Sequence, residues 1–321
     1  MAKVESKSNH HLITYRDYAD KISKTMGFYA GRILTEYRGR IHGLVKPTFS
    51  GSIFIVGCSR SGTTLVYKTL SLATELASLQ RETHAFWNEL HPPAENDWSD
   101  HRLDASQATD EERRRVSRYF FQSLGDHRFV DKANQNGFRI DYLDALFPDA
   151  RFVFVKRDGP DNINSLIQGW GRPDEYGDWS VDLPESILID QGRFTRWCFF
   201  LYPGWREDIN ASLEEVCSRQ WIAINEAILD EKARIPARRW VEASYEDLLR
   251  DPAAAFRQIF EALDLSFDHR LKSHCDTVIS RPYNAFSQPR LNKWREEANA
   301  ERIENVLPRI ASMRERLGYP C

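Results

Sequence analysis

The sequence has few cysteines, no long apolar run and little excess charge of either sign. Its 321 residues include five scattered cysteines and carry a formal net charge of -3. No segment approaches the roughly 18 apolar residues of a membrane-spanning helix, and the N-terminus has no apolar core of signal-peptide length. An odd number of dispersed cysteines is typical of reduced thiols and not of a disulfide framework. These absences predict a cytoplasmic protein.

The same composition narrows the classes of partner. A weakly negative chain has no overall basic field for nucleic acid, so any anion site must be local. The sequence also lacks a cluster of histidines and cysteines at metal-ligand spacing, and we therefore expect no metal site. A chain of this length can bury a sizeable core, and we expect one large domain over residues 48–321.

Residues 1–47 are predicted to form a separate amphipathic helical segment. Apolar residues recur at helical spacing from Tyr15 to Leu44, and basic residues outnumber acidic ones there. A helix packed on the domain is the favoured interpretation, because apolar helix faces ordinarily belong to a core. Peripheral contact with a membrane is the alternative.

The most informative stretch runs from Ile53 to Leu70. Four consecutive apolar residues, Ile53 to Val56, predict a strand buried on both faces, and a loop of small residues from Gly57 to Gly62 leads into a helix. The N-H groups at such a helix start bind anions. Thr63 occupies the position of the lysine in a Walker A loop, so the stretch predicts a phosphate site unlike that of ATP-binding loops.

A second strand, turn and helix follow from Arg151 to Trp170. Arg157 directly follows the strand Arg151 to Lys156, and Ser165 lies on the first turns of the next helix. The two side chains could clamp a phosphate there. Parallel strands present their carboxyl ends at one edge of a sheet. The sequence therefore predicts an α/β fold, a P-loop-type parallel sheet flanked by helices on both faces.

Two further charged residues are expected at that edge. Glu82 follows the loop helix at a distance that allows return to the same end of the sheet, although composition alone favours an exposed surface glutamate. Histidines are the usual proton carriers, so His84 is the second choice for a base and His91 a weaker one. Lys132 follows a short strand ending near Asp131 and could face a leaving group.

Aromatic residues near these segments are candidates for contact with a substrate. Rings of this kind suit stacking on a sugar and contact with a lipid chain equally well. The candidates are Trp87, Trp98, Trp170, Tyr176 and Trp179.

In combination, the ordered motifs resemble those of the PAPS-dependent sulfotransferases, especially the bacterial carbohydrate and small-molecule members and the tyrosylprotein branch. The motifs are SRSGTTL from Ser59, Glu82-Thr83, Asp131-Lys132, LFPDARFVFVKRDGPDNINSL from Leu146, SYEDLLRDP from Ser244 and NKW from Asn292. The resemblance covers about residues 50–320. It implies transfer of a sulfuryl group from PAPS (3'-phosphoadenosine 5'-phosphosulfate) to a hydroxyl or amine of a carbohydrate, lipid or small molecule.

The resemblance also implies a role for individual residues. Glu82 would be the catalytic base, and Arg60 and Lys132 would stabilise the charge on the leaving group. Arg157 and Ser165 would bind the 3'-phosphate. The remaining donor-binding residues would be Arg60, Ser61, Gly62, Thr63 and Thr64 at the 5'-phosphosulfate, with Tyr245, Lys293 and either Ser287 or Ser280 along the nucleotide.

Two other functions remain to be weighed against sulfuryl transfer. A P-loop kinase of a small metabolite is disfavoured because Thr63 replaces the lysine. A nucleotide-binding relative without catalysis is disfavoured because Arg60, Glu82 and Lys132 occur together.

Overall fold

The strands of the computed structural model form one parallel sheet. The structure describes residues 31–283 and 285–320. The strands are β1 (Ile53–Val56), β2 (Val130–Lys132), β3 (Arg151–Lys156) and β4 (Trp240–Ser244), and their order across the sheet is β2-β1-β3-β4. Every pairing is parallel, so all four carboxyl ends lie at one edge. The predicted parallel sheet is confirmed.

Helices connect and surround the four strands. The first, α1, occupies residues 31–45. The others are α2 (Thr63–Leu70), α3 (His84–Leu90), α4 (Asp110–Leu124), α5 (Ile140–Leu146), α6 (Gly159–Trp170), α7 (Pro173–Tyr176), α8 (Ile189–Gly192), α9 (Leu213–Arg234), α10 (Tyr245–Arg250), α11 (Pro252–Ala262), α12 (His269–Val278) and α13 (Ala300–Arg316).

The sheet is buried on both faces, as an unbroken apolar strand requires. On one face, Ile55 and Val153 lie next to each other and join a core that includes Val66 of α2, Leu248 of α10 and Phe256 of α11. On the other face, the aromatic ring of Phe54 lies beside those of Phe147 and Phe152. The predicted arrangement of helices on both faces is confirmed.

A tightly packed helix layer supports the segment that follows β3. Helix α9 packs against α6 and α13. A Cβ added to Gly159 at the start of α6 would lie 2.8 Å from Ile310 of α13 and 3.2 Å from Trp221 of α9. The N-terminal end of α6, which follows Arg157, therefore cannot shift without disturbing both neighbours.

The chain after β4 forms two helices that are separated at Asp251. Asp251 has φ -146° and ψ 86°, which ends α10, and Pro252 begins α11. A proline disfavours the helical conformation in the residue before it, and here the Asp251 carboxylate accepts a hydrogen bond from the Ala254 amide as an N-cap. The two helices are therefore separate elements.

The described chain divides into two compact units. One contains residues 31–47 and 114–125, and the other contains residues 48–113 and 126–320. In the smaller unit, the Arg38 guanidinium of α1 donates to the Ser123 carbonyl of α4, and His42 Nε2 lies 2.9 Å from Ser117 Oγ. The predicted helical residues from Tyr15 to Tyr29 lie outside the described residues.

Among the described helices, none combines the length and the apolar character needed to cross a membrane.

Candidate active site

The loop between β1 and α2 has a conformation that depends on glycine. Gly57, Arg60 and Gly62 all have positive φ, at 154°, 69° and 99°. A Cβ at Gly62 would lie 2.5 Å from Cδ2 of Tyr245, so this position accepts no side chain without displacing the tyrosine ring. The backbone can therefore turn closely at the start of α2, where N-H groups lack partners within the helix.

Side chains from the second strand-turn-helix unit hold the loop in place. Arg157 donates to the carbonyl oxygen of Arg60 at 2.8 Å, and Asn162 of α6 donates to that of Ser59, also at 2.8 Å. Two loop carbonyls are thus engaged by protein donors. The ends of β1 and β3, predicted to cooperate at one ligand, are in direct contact.

Glu82 and Lys132 form an ion pair at the end of β2. Glu82 Oε2 lies 2.7 Å from Lys132 Nζ, and Thr64 Oγ1 donates to Glu82 Oε1 at 3.2 Å. Lys132 also donates to Asn134 Oδ1 at 2.9 Å and is 4% exposed. Burial alone would raise the pKa of Glu82, but Lys132, with His84 and Thr64, outweighs burial and lowers that pKa below its ordinary value.

Arg60 projects into the same pocket beneath aromatic rings. Its Nε lies 3.4 Å from Ser165 Oγ, and its Nη1 donates to the Tyr176 hydroxyl at 3.1 Å. The guanidinium carbon lies 4.2 Å from the centre of the Phe286 ring, a cation-π distance. Burial is the main cause of a lowered pKa of Arg60, although an arginine remains charged at neutral pH.

Arg157 is buried between the loop and α10. Its guanidinium carbon lies 4.4 Å from the centre of the Tyr245 ring, and its Nε has no hydrogen-bond partner among the described residues. A buried guanidinium N-H that lacks a protein acceptor costs free energy unless a ligand supplies one. The hydroxyls of Ser59 and Ser61 are likewise buried without a partner in the described chain.

A polar group from the C-terminal part of the chain forms the opposite wall. Lys293 Nζ donates to Ser287 Oγ at 3.0 Å, and Ser287 Oγ donates to Glu297 Oε1 at 3.1 Å. Asn164 and Gln168 of α6 donate to the other oxygen of Glu297. Burial, followed by the charge of Arg157, lowers the pKa of Lys293.

One pocket collects most of the residues that the sequence singled out. Those lining it are Arg60, Gly62, Thr63, Thr64, Glu82, Lys132, Arg157, Ser165, Tyr245, Ser287 and Lys293. Ser61 belongs to the same loop, but its side chain turns into the protein and does not line the pocket. Of the two alternative serines, Ser287 lines the pocket, whereas the Ser280 hydroxyl donates to the Thr277 carbonyl.

Other candidates lie elsewhere. His84 Nδ1 is 3.9 Å from Glu82 Oε2 but the side chain is half exposed, and His91 pairs with Glu112. The suggestion that Trp87, Trp98 and Trp170 contact a substrate is wrong, because all three are buried in the core. A single sequence does not distinguish a core tryptophan from one in a pocket.

Some pocket residues were not assigned from the sequence. Asn134, Phe199 and Phe286 line the pocket, and only Tyr176 was noted there as an aromatic candidate. Asn134 lies two residues after Lys132, a proximity that could have suggested it. Phe199 and Phe286 lie in irregular segments without a periodic pattern, so their positions depend on tertiary packing.

Comparison with known proteins identifies the family. The model of the sulfotransferase family matches residues 52–183 and 190–269, more than half of the chain. Protein-tyrosine sulfotransferase A of Caenorhabditis elegans is 25% identical over 233 residues, which cover 69% of this chain and 52% of that relative, so the chain spans about half the length of the relative. The crystal structure of sulfotransferase STF9 from Mycobacterium avium shares the fold, with a TM-score of 0.54 and 15% identity over 89% of this chain and 82% of that one. The chain therefore belongs to the sulfotransferase family.

Proposed function

We propose that the protein transfers the sulfuryl group of PAPS to an acceptor hydroxyl or amine. The observation that carries this proposal is the contact between the ends of β1 and β3, where Arg157 donates to the carbonyl of Arg60. The side chains of Arg60 and Arg157 also line the same pocket, and two guanidinium groups in one pocket suit a ligand with two separate anionic groups. PAPS has such groups in its 5'-phosphosulfate and its 3'-phosphate.

The residues present fit this donor. The N-terminus of α2, together with Arg60, Thr63 and Thr64, would bind the 5'-phosphosulfate. Arg157, whose Nε has no partner in the described part of the chain, would bind the 3'-phosphate with Ser165. Lys293, Ser287 and Tyr245 would line the nucleotide.

Glu82 and Lys132 would carry out the chemistry. As the acceptor oxygen or nitrogen bonds to sulfur, the bond between sulfur and the bridging oxygen breaks and the acceptor proton passes to Glu82. Lys132 and Arg60 would stabilise the negative charge that develops on the bridging oxygen, as cations do in phosphoryl transfer. The proposal requires no metal.

The acceptor is proposed only as a class. Hydroxyl or amine groups of carbohydrates, lipids and small molecules fit the reaction, and the name of the Caenorhabditis elegans relative adds a phenolic hydroxyl. Exposed apolar residues of α1, such as Ile33 and Leu44, are consistent with peripheral membrane contact, which stays a prediction. Cytoplasmic location also stays a prediction.

The experiment that tests this proposal compares donors. Thermal unfolding is measured with PAPS, with PAP (its desulfated product) and with ATP plus magnesium. A ligand at one hundred times its dissociation constant stabilises a protein by about 2.7 kcal/mol. PAPS and PAP should raise the melting temperature, and ATP should not. When the protein is incubated with PAPS and a panel of sugar, lipid, amine and phenol acceptors, mass spectrometry should detect a sulfated product. Stabilisation by ATP alone would support a kinase, and tight PAPS binding without any product would support a non-catalytic protein.

A further inference from the structure

A buried chain of hydrogen bonds lies directly behind Glu82 and Lys132. Thr83 Oγ1 donates to Asp131 Oδ1 at 2.7 Å, and Trp87 Nε1 donates to Thr83 Oγ1 at 3.0 Å. Asn136 Nδ2 donates to the other oxygen, Asp131 Oδ2, at 3.2 Å. Thr83 is 1% exposed and Asp131 is 2% exposed, and neither residue lines the pocket.

The sequence positions of these residues link them to the ion pair. Thr83 immediately follows Glu82, and Asp131 immediately precedes Lys132. The backbone amide of Thr83 also donates to the carbonyl oxygen of Lys132 at 3.2 Å. One side-chain and one main-chain hydrogen bond therefore join the two segments that carry the carboxylate and the ammonium.

Neither segment is fixed strongly by regular secondary structure. Residues 80–83 lie outside strands and helices, and Gln80 has a positive φ of 58°. Strand β2 has three residues and, in the described chain, pairs with one strand only, β1. The relative position of Glu82 and Lys132 therefore depends on hydrogen bonds outside regular secondary structure. These include the bonds of Thr83, the parallel bridge between Ala77 and Phe129, and the bond from the Tyr67 hydroxyl to the Arg81 carbonyl.

A carboxylate at position 131 is costly to bury, which argues against an incidental contact. Burial raises the pKa of Asp131, while hydrogen bonds from Thr83 and Asn136 oppose that rise. Removing one donor leaves a buried oxygen unsatisfied, at a cost of about 1–3 kcal/mol. The structure can avoid this cost by shifting one segment relative to the other, and such a shift would separate Glu82 from Lys132.

We propose that Thr83 and Asp131 are positioning residues, which hold the Glu82 carboxylate in contact with the Lys132 ammonium. The proposal rests on the catalytic roles proposed above for Glu82 and Lys132. The geometry of the pair, however, can be measured without any substrate.

The experiment compares Thr83→Val, which replaces the hydroxyl with a methyl group, with Thr83→Ser, which keeps the hydroxyl. The native proteins are treated with limiting acetic anhydride, and mass spectrometry measures the acetylation of Lys132 relative to Lys293. Lys293 is a matched internal control, because it is also about 5% exposed, lies in the same pocket and has no contact with Thr83. Asp131→Asn serves as a second variant in case Thr83→Val does not fold.

The expected result is a several-fold rise in the Lys132 to Lys293 labelling ratio for Thr83→Val and Asp131→Asn, with the wild-type ratio in Thr83→Ser. The turnover number for PAPS should fall at least about tenfold in the first two variants, while affinity for PAP stays the same. An unchanged labelling ratio, or a lower melting temperature without loss of turnover, would overturn the proposal. Failure of the wild type to bind PAP would instead overturn the proposed function, and the labelling result would stand.

Discussion

The Glu82 side chain contacts three neighbours: the Lys132 ammonium at 2.7 Å, the Thr64 hydroxyl at 3.2 Å and the His84 ring at 3.9 Å. The first two contacts favour the ionised carboxylate, which is the form that accepts a proton. His84 is half exposed and lies farther from the loop. At the scale of single residues, the geometry therefore favours Glu82 over His84 as the base.

Glu82→Gln should lower the turnover number by about a hundredfold to ten-thousandfold, the usual contribution of a general base. Affinity for PAP should stay close to the wild-type value, because the glutamine side chain keeps the shape of the glutamate and the phosphate contacts lie elsewhere. Steady-state kinetics and calorimetric titration with PAP measure the two quantities. His84→Asn is the control and should retain most activity. Normal turnover in Glu82→Gln would transfer the role of base to His84.

The pH dependence of the reaction should also depend on Lys132. In the wild type the pKa of Glu82 is lowered by Lys132, so the acid limb of kcat/KM should lie below the ordinary pKa of a glutamate. Lys132→Met removes the cation and leaves burial as the main influence, which raises the pKa of Glu82. The acid limb should then move to higher pH in the activity that remains. An acid limb that does not move would show that the carboxylate of Glu82 does not control it.

Single residues were predictable from the sequence where a motif fixed their position. Arg60, Thr64 and Arg157 follow strands at their carboxyl ends, so the fold itself brings them together. Glu82 was expected in the site only from the family resemblance, because amino-acid composition alone favours an exposed surface position for a glutamate. Phe286 was not expected, since its contact with Arg60 is made across more than two hundred residues of chain.

At the scale of elements, the start of α2 determines the shape of the site. Gly62 is the residue before the helix, and its φ of 99° lies in the left-handed region that favours glycine. Tyr245, the first residue of α10, packs its ring against that glycine, and Arg157 lies over the ring. The loop, α10 and the end of β3 therefore form one packed unit.

Gly62→Ala should destabilise the protein and weaken nucleotide binding. A positive φ costs an alanine about 1–2 kcal/mol, and the new Cβ would also lie 2.5 Å from the Tyr245 ring. Gly318→Ala is a matched control, because Gly318 has a φ of 83° but no heavy atom within 4 Å of an added Cβ. Urea unfolding should show a loss in both variants, and titration with PAP should show weaker binding in Gly62→Ala only. Wild-type affinity in Gly62→Ala would contradict the packed arrangement.

Elements were predicted well where the pattern was local. Four apolar residues predicted β1, and the loop of small residues from Gly57 to Gly62 predicted the start of α2. Pro252 marks the break at Asp251 that separates α10 from α11. The irregular residues 279–283 and 285–291 have no repeat, so their position over the pocket could not be predicted.

At the scale of the whole molecule, the parallel order of the strands produces the site. Strands β2, β1 and β3 are neighbours, and each contributes charged residues at its carboxyl end: Lys132, Arg60 and Arg157. Their positive charge is local, since the chain as a whole carries a net charge of -3. An anionic donor would therefore be recognised by the arrangement of these ends and not by a general basic surface.

The central claim is that the ends of β1 and β3 bind two different phosphate groups of one nucleotide. The most direct test is calorimetric titration of wild-type protein and Arg157→Ala with PAP and with adenosine 5'-monophosphate, which lacks the 3'-phosphate. The wild type should bind PAP at least about tenfold more tightly, as a charged hydrogen-bonded contact of about 1.5–3 kcal/mol implies, and Arg157→Ala should lose most of that preference. Equal affinity of the wild type for the two nucleotides, or an undiminished preference in Arg157→Ala, would contradict the account.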